Sequence, residues 1–545
     1  MKTLDYQWQT KQQLTELLCD LVKIPSITHT VKEIKFAEYI ESKIRKLPYF
    51  QVNPEYVKVH KTKDQRKFVT ALVKSEKNVQ DTIILVSHFD VVGVDDYGSL
   101  KELAFHPINL TKFIYENKTK VPEAVQKDIR EGDWLFGRGT MDMKCGLALH
   151  MSIIEEACNG NYDGNILLLT VCDEEVNSVG MREAVSVLLE MSKQYNLKYN
   201  ACINSEPVFS RYPGDENNYL YLGSLGKILA GFLCYGKETH VGEPFSGLNA
   251  NYMASELTRE LEFNTDYCEK VGDEVTPPPT VLIQKDLKNE YNVQISHRSV
   301  NLFNLFLMEK SIDEIVEQLS QTANKVAKKI ENHYSKSSIQ FSTLEGSHNN
   351  KDISVTTLRF EELLRYALET YGEKKVMQIK EDVLKNKGQK DDRELAIEWV
   401  DRLATLCKEL APMIIIFFAP PYYPPVNSRK HPEINRVVDY ILTFAKQNYD
   451  IELKKQNYFA GISDLSYTGL SHPTSSIKSL TSNMPNWNHG YTIPFDALEE
   501  LNLPVLNLGP IGRDAHKWTE RLDLNYAFHI LRNLLSVTIK QFFQK

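Results

Sequence analysis

The chain has 545 residues, of which 42% are hydrophobic and 25% charged, and both fractions are ordinary for a globular protein. Because this length exceeds what one compact core usually holds, we expect two domains. A net charge of −8 spread over so many residues gives no electrostatic basis for nucleic acid or an anionic membrane as the main partner.

No apolar run reaches the roughly 18 to 20 residues that span a bilayer. The most apolar stretch, 411–421, is short and ends in prolines, which favours a core strand. The N-terminus lacks the apolar block and small-residue cleavage site of a signal peptide. The eight cysteines form no C-x-x-C pairs, so we expect reduced thiols in a cytoplasmic protein.

The first part of the chain alternates predicted helices with predicted strands. Leucines at helical spacing predict a helix over 5–22, and a second helix fits 31–46. The segments that follow are strands at 67–73, 82–88, 164–175 and 199–207, and helices at 145–158 and 181–195. Nearly continuous apolar strands separated by helices predict an α/β fold with a mainly parallel mixed sheet covered on both faces.

This alternation stops near residue 223 and resumes after a proline-rich segment. The predicted elements between are strands at 224–236, 280–286, 291–300 and 413–418, and helices at 246–263, 311–334 and 396–410. The prolines of 419–432 indicate a hinge or linker, and helix 432–447, strand 503–510 and helix 521–542 follow. The simplest division is an α/β domain formed by 1–222 and 427–545, with an α+β domain inserted at 223–426.

Polar residues stand at the ends of the apolar strands, where ligands bind in open α/β sheets. The residues that follow strands are His88, Asp90, Glu174, Glu175 and Glu206. Asp142 lies in a glycine-rich segment, and His516 follows the last apolar strand. Acidic groups delivered to one edge of a sheet repel one another unless a countercharge is present, and two divalent cations would supply it.

Each of these residues also has an ordinary structural explanation. His88 could be a satisfied structural histidine, Asp142 a turn residue, and Glu174 with Glu175 the solvated first turn of a helix. Glu206, before a proline, could simply end its strand. The ordered set, rather than any single member, therefore favours a metal site.

Nucleophilic catalysis by serine or cysteine has little support in the sequence. The chain contains no G-x-S-x-G motif. Cys145 and Cys172 lie in apolar helix or strand patterns, where core packing explains them.

Several long motifs resemble one family of enzymes. They are "SHFDVV", "GDWLFGRGTMDMKCGLA", "VCDEEVNSVGM", "NSEP", "GKETHVGEPFSGLNA", "GISDLSY" and "LPVLNLGPIGRDAHKWTERL". The chain resembles the co-catalytic di-zinc hydrolases that include aminoacylase, glutamate carboxypeptidase, acetylornithine deacetylase and succinyl-diaminopimelate desuccinylase. Its length and enlarged insert are most similar to the arginine-utilisation branch. The resemblance implies a zinc-exopeptidase fold whose inserted domain serves as a lid or dimerisation domain.

The resemblance implies two metal ions that share one carboxylate. One zinc would take His88, Asp142 and Glu206, and the other would take Asp142, Glu175 and His516. Imidazole nitrogen and carboxylate oxygen suit Zn²⁺, although cobalt or manganese could use the same ligands. Asp90 would then accept the second ring N–H of His88 and fix its orientation.

The resemblance also implies catalytic and substrate-binding roles. Glu174 would be the general base that takes a proton from water and passes it to the leaving nitrogen. His240 matches a histidine of the inserted domain that steadies the oxyanion in relatives, often across a dimer interface; its alternative is an ordinary surface histidine. Arg298 could clamp a substrate carboxylate or be a sheet-surface arginine. Asn249 could orient the substrate or be a polar helix residue.

The chain departs from the family pattern in three places. "IGRDAH" has Arg513 and Asp514 where relatives carry a glycine-rich loop, "ISHRSV" replaces the usual D-x-R strand pattern, and 340–395 has no counterpart in compact members. We expect a zinc-dependent amidohydrolase or exopeptidase that cleaves an amide, peptide or ureido bond of a small amino-acid derivative, in arginine catabolism. The alternatives are an aminopeptidase or dipeptidase, and an inactive metal-binding scaffold. A homodimer through the inserted domain is compatible with the pattern.

Overall fold

The computed structural model describes residues 6–544 apart from 213, 216, 289, 348–351 and 389. The chain divides into two compact units. Unit 1 comprises Met1–Leu225, Pro425–Leu470 and Pro494–Lys545, and unit 2 comprises Gly226–Pro424 and Ser471–Ile493. These divisions lie close to residues 223 and 426, and Ser471–Ile493 is an additional part of unit 2 that the sequence pattern did not separate.

The described residues form the following strands and helices. The strands are β1 Val57–Lys61, β2 Lys67–Val73, β3 Asp81–His88, β4 Trp134–Phe136, β5 Asn165–Val171, β6 Lys198–Asn204, β7 Asn218–Tyr221, β8 Gly223–Ser224, β9 Gly226–Tyr235, β10 Lys270–Val271, β11 Glu274–Val275, β12 Thr280–Asp286, β13 Arg298–Leu307, β14 Thr356–Arg359, β15 Met413–Tyr423, β16 Val426–Asn427, β17 Leu453–Gln456, β18 Val505–Asn507, β19 Gly512–Arg513 and β20 Arg521–Asp523. The helices are α1 Lys11–Val22, α2 Val31–Ile44, α3 Pro48–Val52, α4 Pro107–Glu116, α5 Glu123–Glu131, α6 Lys144–Cys158, α7 Val179–Tyr195, α8 Ala250–Leu261, α9 Ile312–Glu345, α10 Phe360–Tyr371, α11 Glu373–Lys385, α12 Asp392–Leu406, α13 Pro432–Tyr449, α14 Lys478–Ser482, α15 Phe495–Leu501 and α16 Arg532–Phe543.

The central sheet of unit 1 has eight strands in the order β1-β2-β5-β3-β6-β18-β7-β17. Its parallel pairs are β5 with β3, β3 with β6, β6 with β18, and β7 with β17. The other pairs are antiparallel. The predicted α/β class with a mainly parallel mixed sheet is therefore confirmed.

Both faces of this sheet are buried. Successive side chains of a strand point to opposite faces. Ile83 and Leu85 of β3 join the core cluster that includes α1, α2, α6 and α16, and Ile84 and Val86 on the other face are also fully buried. This burial explains why β3 is apolar at every position from Ile83 to Val86.

The register of the parallel strands brings their carboxyl ends to one level. His88 at the end of β3 pairs with Val171 at the end of β5, and Val86 pairs with Asn204 at the end of β6. The segments that follow β3, β5 and β6 therefore leave the middle of the sheet side by side, so their polar residues meet.

Unit 2 contains a five-stranded sheet in the order β12-β13-β9-β15-β14, in which only β14 and β15 are parallel. The central strand β9 is paired along both edges. Helices α10 and α11, which lie within 340–395, form a core cluster together with α12 and side chains of β9, β13 and β15. The enlarged insert therefore covers one face of this sheet.

One strand prediction in unit 2 was wrong. The strand candidate 291–300 is displaced, because β13 begins at Arg298 and its buried apolar run extends to Leu307. Within the predicted hinge or linker 419–432, Pro420 and Pro421 lie in β15, whereas the division between the two units falls at Pro424 and Pro425. The pairing of β15 with β9 is irregular between Ala419 and Tyr423, so Pro420 and Pro421 stand where the ladder needs no donor.

Among the described residues, no helix combines the length and the apolar character that crossing a bilayer requires.

Candidate metal centre

Three side chains that follow different elements of unit 1 converge at the carboxyl end of β3. His88 Nε2 lies 3.4 Å from Asp142 Oδ1, 3.6 Å from Glu206 Oε1 and 3.8 Å from Glu174 Oε2. His88, Asp142 and Glu206 each offer one ligand atom within 4.8 Å of the others. This arrangement is compact enough for one ion to bind all three.

A second group shares Asp142 with the first. His516 Nε2 lies 3.3 Å from Asp142 Oδ2 and 3.1 Å from Glu175 Oε2. The two oxygens of Asp142 therefore face different histidines. The His516 side chain is 48% exposed, whereas that of His88 is 1% exposed, so the second group opens toward solvent. A bridging carboxylate of this kind is what holds two metal ions close together in two-metal sites.

The residues present fit a divalent cation. His88 Nε2 and Glu206 Oε1 are both buried, and neither has a hydrogen-bond partner among the described residues. Buried polar atoms without partners are costly. Here both atoms face the same small space, so a metal ion would satisfy both atoms at once.

The charges of the site also favour a bound cation. Burial raises the pKa of Glu206 well above its usual range, and the neighbouring Asp142 and Asp464 raise it further. Burial lowers the pKa of His516, but Asp142 and Glu175 outweigh burial and raise it to about 11. The acids of the cluster therefore repel one another, and a bound cation would relieve this repulsion.

Asp90 is fully buried and organises the turn that carries the two glutamates. Its Oδ1 accepts the backbone N–H of Glu174 at 3.0 Å and its Oδ2 accepts that of Glu175 at 3.3 Å. The His88 ring nitrogen Nδ1 lies 3.1 Å from the Asp90 carbonyl oxygen and 3.5 Å from its carboxylate. Asp90 therefore contacts both the histidine and the glutamate turn.

Glu520 holds the loop that carries Asp142. It is fully buried, and its Oε1 accepts backbone N–H groups of Gly139 at 2.8 Å and Met141 at 3.2 Å. Its Oε2 accepts Arg138 Nη1 at 2.7 Å. These bonds join a segment near the end of the chain to the loop between β4 and α6, so Glu520 determines where the shared carboxylate lies.

Gly509 allows β18 to approach the end of β6 closely. A Cβ atom at this position would lie 1.6 Å from the Glu206 carbonyl oxygen. Asn507 Nδ2 also donates to that oxygen at 3.1 Å. The backbone of Glu206 is therefore fixed by a contact that only glycine permits.

Three predicted site residues belong to unit 2 instead of unit 1. His240 lies in an exposed loop, where its Nδ1 accepts the backbone N–H of Gly242 at 3.0 Å. Asn249 caps α8 by accepting the N–H of Asn251 at 2.9 Å. Arg298 Nη1 pairs with Asp401 Oδ2 at 2.7 Å. The structure thus groups the seven other predicted residues in unit 1, and the roles of these three stay predictions.

Sequence reasoning did not single out three buried contributors to the site. These are Glu520, Asp464, which burial gives a pKa of about 7, and Asp173, which pairs with Arg66 beside the glutamate turn. Asp464 and Glu520 lie within the motifs "GISDLSY" and "KWTERL", so the motifs contained the signal. Nothing in the local pattern distinguished these acids from surface residues.

Comparisons with known proteins agree with this geometry. The chain matches the family described as Peptidase family M20/M25/M40 over residues 84–477. It is 48% identical over 532 residues to the "Uncharacterized protein YqjN" of Bacillus subtilis strain 168, covering 98% of this chain and 96% of that protein. It is 31% identical over 547 residues to "Protein RocB" of the same strain, covering 97% and 94% respectively.

A solved structure shares the fold. The M20 family metallo-carboxypeptidase Sso-CP2 from Sulfolobus solfataricus superposes with a TM-score of 0.55 at 14% identity, covering 97% of this chain and 99% of that one. At this identity the similarity concerns the architecture alone.

Proposed function

The chain belongs to the peptidase family M20/M25/M40 and is a hydrolytic enzyme, and we propose that it uses two metal ions to cleave an amide, peptide or ureido bond of a small amino-acid derivative. The observation that carries this proposal is the pair of three-residue groups that share Asp142. The expected resemblance to the family is confirmed, and the similarity to Protein RocB is consistent with the arginine-utilisation branch.

The two groups divide the ligands between the ions. His88, Asp142 and Glu206 would hold one ion, and Asp142, Glu175 and His516 the other. Two bound divalent ions would polarise the carbonyl group of the scissile bond and lower the pKa of water. Zinc is the proposed metal because the ligands are imidazoles and carboxylates.

Glu174 is the proposed general base. Its carboxylate oxygen Oε2 lies 3.8 Å from His88 Nε2, and Glu174 belongs to neither of the two ligand groups. It would take the proton from the attacking water and pass that proton to the leaving nitrogen as the C–N bond breaks. The products are then a carboxylic or carbamic acid and an amine.

Asp90 is the proposed positioning residue for this base, because its carboxylate accepts the backbone N–H groups of Glu174 and Glu175. His240 is proposed to steady the oxyanion, and Arg298 and Asn249 are proposed to bind substrate; these three roles rest on the family resemblance. Arg298 would have to give up its ion pair with Asp401 to clamp a carboxylate.

The branch resemblance and the similarity to Protein RocB support a substrate related to arginine, ornithine or citrulline, and hence a role in arginine catabolism. The eight free cysteines support a reducing, cytoplasmic setting. The second candidate is an aminopeptidase or dipeptidase, which membership of a peptidase family favours.

The test is metal analysis of the purified chain followed by a substrate screen. N-acyl, N-carbamoyl and dipeptide derivatives of arginine and ornithine are assayed with Zn²⁺, Co²⁺ or Mn²⁺. We expect about two bound ions per chain and turnover of at least one N-blocked compound. Turnover only of compounds with a free α-amine would favour the aminopeptidase alternative, and absence of both bound metal and turnover would contradict the proposal.

A further inference from the structure

Unit 2 contains a cavity of about 810 Å³ whose described lining residues all belong to this unit. Its wall includes residues of the strands β12 and β13 and of the helices α11 and α12. None of the lining residues belongs to the candidate metal-ligand groups. Small-molecule sites in proteins commonly have volumes of about 300 to 1,000 Å³, so the cavity is large enough for a small ligand.

The sheet and helix α12 bring charges of opposite sign to this cavity. β12 contributes Lys285 and β13 contributes Arg298, whereas α12 contributes Glu394, Glu398 and Asp401. The three acids are spaced four and three residues apart, so they follow one face of α12. A ligand in the cavity therefore meets cations from the sheet and carboxylates from the helix.

Glu398 is already neutralised within the wall. Its Oε2 accepts Lys390 Nζ at 2.6 Å, and its Oε1 accepts Arg402 Nη2 at 3.1 Å. Both cations also line the cavity. Because each oxygen of Glu398 has a cationic donor, this acid has little attraction left for a ligand.

Two other acids of the wall are engaged with their own helices. Glu394 Oε2 accepts the backbone N–H of Asp391 at 3.1 Å in the capping box of α12. Asp382 Oδ1 accepts Gln378 Nε2 at 2.9 Å on α11. These bonds hold both carboxylates in place at the helix surface.

Asp401 is the acid whose hydrogen bonding is incomplete. Its Oδ2 accepts Arg298 Nη1 at 2.7 Å, but its Oδ1 is buried and has no hydrogen-bond partner among the described residues. Arg298 Nε is likewise buried without a partner. Burial raises the pKa of Asp401, and the charge of Arg298 opposes burial without cancelling its effect. An unsatisfied buried carboxylate oxygen is costly, and a cationic donor would remove this cost.

Lys285 is the cation without a partner. Its side chain is exposed, and in the part of the chain that the structure describes its ammonium group forms no hydrogen bond or ion pair. Lys285 shares a face of β12 with Ile283 and Leu287, which pack against the core cluster formed with the insert helices. The sheet thus offers a free ammonium group on the same side as α12.

We propose that this cavity binds the zwitterion of an α-amino acid with an aliphatic side chain. The carboxylate of the ligand contacts Lys285 and the unused donors of Arg298, and its ammonium group donates to Asp401. Leu287 and Ile397 line the same cavity and contact the aliphatic side chain. An ion of one sign would leave the groups of the other sign unsatisfied, whereas a zwitterion satisfies both.

This inference does not rest on the proposed function, because it concerns binding within unit 2 alone. It gives Arg298 a ligand in this cavity, as an alternative to the substrate-binding role that the family resemblance implies. The two roles are separable, since binding in this cavity requires no candidate metal ligand of unit 1.

The test is calorimetric titration of the metal-loaded chain at pH 7 with leucine, 4-methylpentanoate and leucinamide. The three probes share one side chain, but they carry both charges, only the carboxylate, and only the ammonium group, respectively. We expect leucine to bind at least about 10-fold more tightly than either analogue. Lys285→Met should weaken leucine binding by about 10-fold, and Asp401→Asn by about 10- to 100-fold.

Lys270→Met is the matched control, because Lys270 is an exposed lysine of β10 in unit 2 that does not line the cavity. It should leave the affinity for leucine unchanged, and so should His516→Ala, which removes a candidate metal ligand. Because Lys285 is exposed, its variant still tests the proposal if Asp401→Asn fails to fold.

Four results would overturn the proposal. They are no binding of leucine, equally tight binding of either analogue, wild-type affinity in Lys285→Met, and loss of binding in His516→Ala. The last result would place the ligand at the metal centre of unit 1 and leave the proposed function intact.

Discussion

Asp90 and Glu174 are joined by a 3.0 Å hydrogen bond from the Glu174 backbone N–H to Asp90 Oδ1. The sequence resemblance assigned Asp90 only to the orientation of His88. In the structure the same carboxylate also holds the turn that carries Glu174 and Glu175. One buried acid therefore contacts both a candidate metal ligand and the turn that carries the proposed base.

Asp90→Asn should lower turnover by about 100-fold, because the amide group cannot accept both backbone N–H groups and the glutamate turn would shift. Steady-state kinetics on the substrate found by the screen measures this loss. Asp95→Asn is the control, since Asp95 is exposed and forms an ion pair with Lys101 at the surface. Equal activity of the two variants would remove Asp90 from the mechanism.

Glu174→Gln should lower kcat by about 100- to 10,000-fold without loss of bound metal, because glutamine keeps the shape of the side chain but cannot accept a proton. Kinetics together with metal analysis separates catalysis from binding. Glu190→Gln, the same substitution at an exposed glutamate of α7, is the control and should leave kcat unchanged. If the Glu174 variant turns over substrate at the wild-type rate, Glu174 is not the base.

Glu520→Gln should weaken metal binding by about 10- to 100-fold, since the loop carrying Asp142 would lose the charge that holds Arg138 and the backbone N–H groups. Competition with a chelator measures the affinity. Glu500→Gln, at an exposed glutamate paired with Lys193, should leave the affinity unchanged. A normal affinity in the Glu520 variant would show that the loop is held by other contacts.

Gly509→Ala should lower both the unfolding midpoint and the metal content, because the added methyl group would collide with the Glu206 carbonyl oxygen and displace that ligand. Thermal unfolding with and without metal tests this expectation. Gly93→Ala is the control, because a Cβ there meets nothing within 4 Å. Similar midpoints for the two variants would mean that β18 can shift without affecting the site.

His60 predicts a dependence of stability on pH. Burial lowers its pKa from 6.5 to about 4, and the positive charge of Lys58 adds to the effect. The unfolded chain binds a proton below pH 6.5 while the folded chain does not, so the free energy of unfolding should fall as the pH drops from 6.5 to 4. After allowance for partial exposure, the loss is about 2 kcal/mol.

His60→Gln should flatten this pH dependence, because glutamine is neutral in both states. The measurement is the unfolding midpoint at pH 7.5 and at pH 5 for the wild type and the variant. His106→Gln, at an exposed histidine, should retain the full change. If the unfolding midpoint of the His60 variant falls between pH 7.5 and pH 5 as much as that of the wild type, other groups cause the acid sensitivity.

The sheet of unit 1 was predictable because burial on both faces leaves a distinct pattern. The predicted strand 67–73 coincides with β2, and 82–88 differs from β3 by one residue. The polar residues after these strands were equally visible, because each interrupts an apolar run. His88 and Glu206 could be detected because each stands at the end of a predicted apolar strand, and not because of residue type alone.

The supporting residues were not predictable for a physical reason. Glu520 acts on Gly139 and Met141, which are almost 400 residues away in the chain, and only the tertiary fold brings them together. The displaced start of β13 has a similar cause, since strand boundaries depend on pairing with β9 and not on local composition.

The position of β18 between β6 and β7 has a consequence for biosynthesis. Glu206 leaves the ribosome roughly 300 residues before His516, which at typical rates of synthesis corresponds to about 15 to 60 seconds. During that interval β6 and β7 lack the strand that joins them, and Gly226–Pro424 of unit 2 is itself synthesised. The nascent chain therefore carries an unfinished set of candidate ligands, and the candidate metal centre can be assembled only when the last strands of unit 1 have been made.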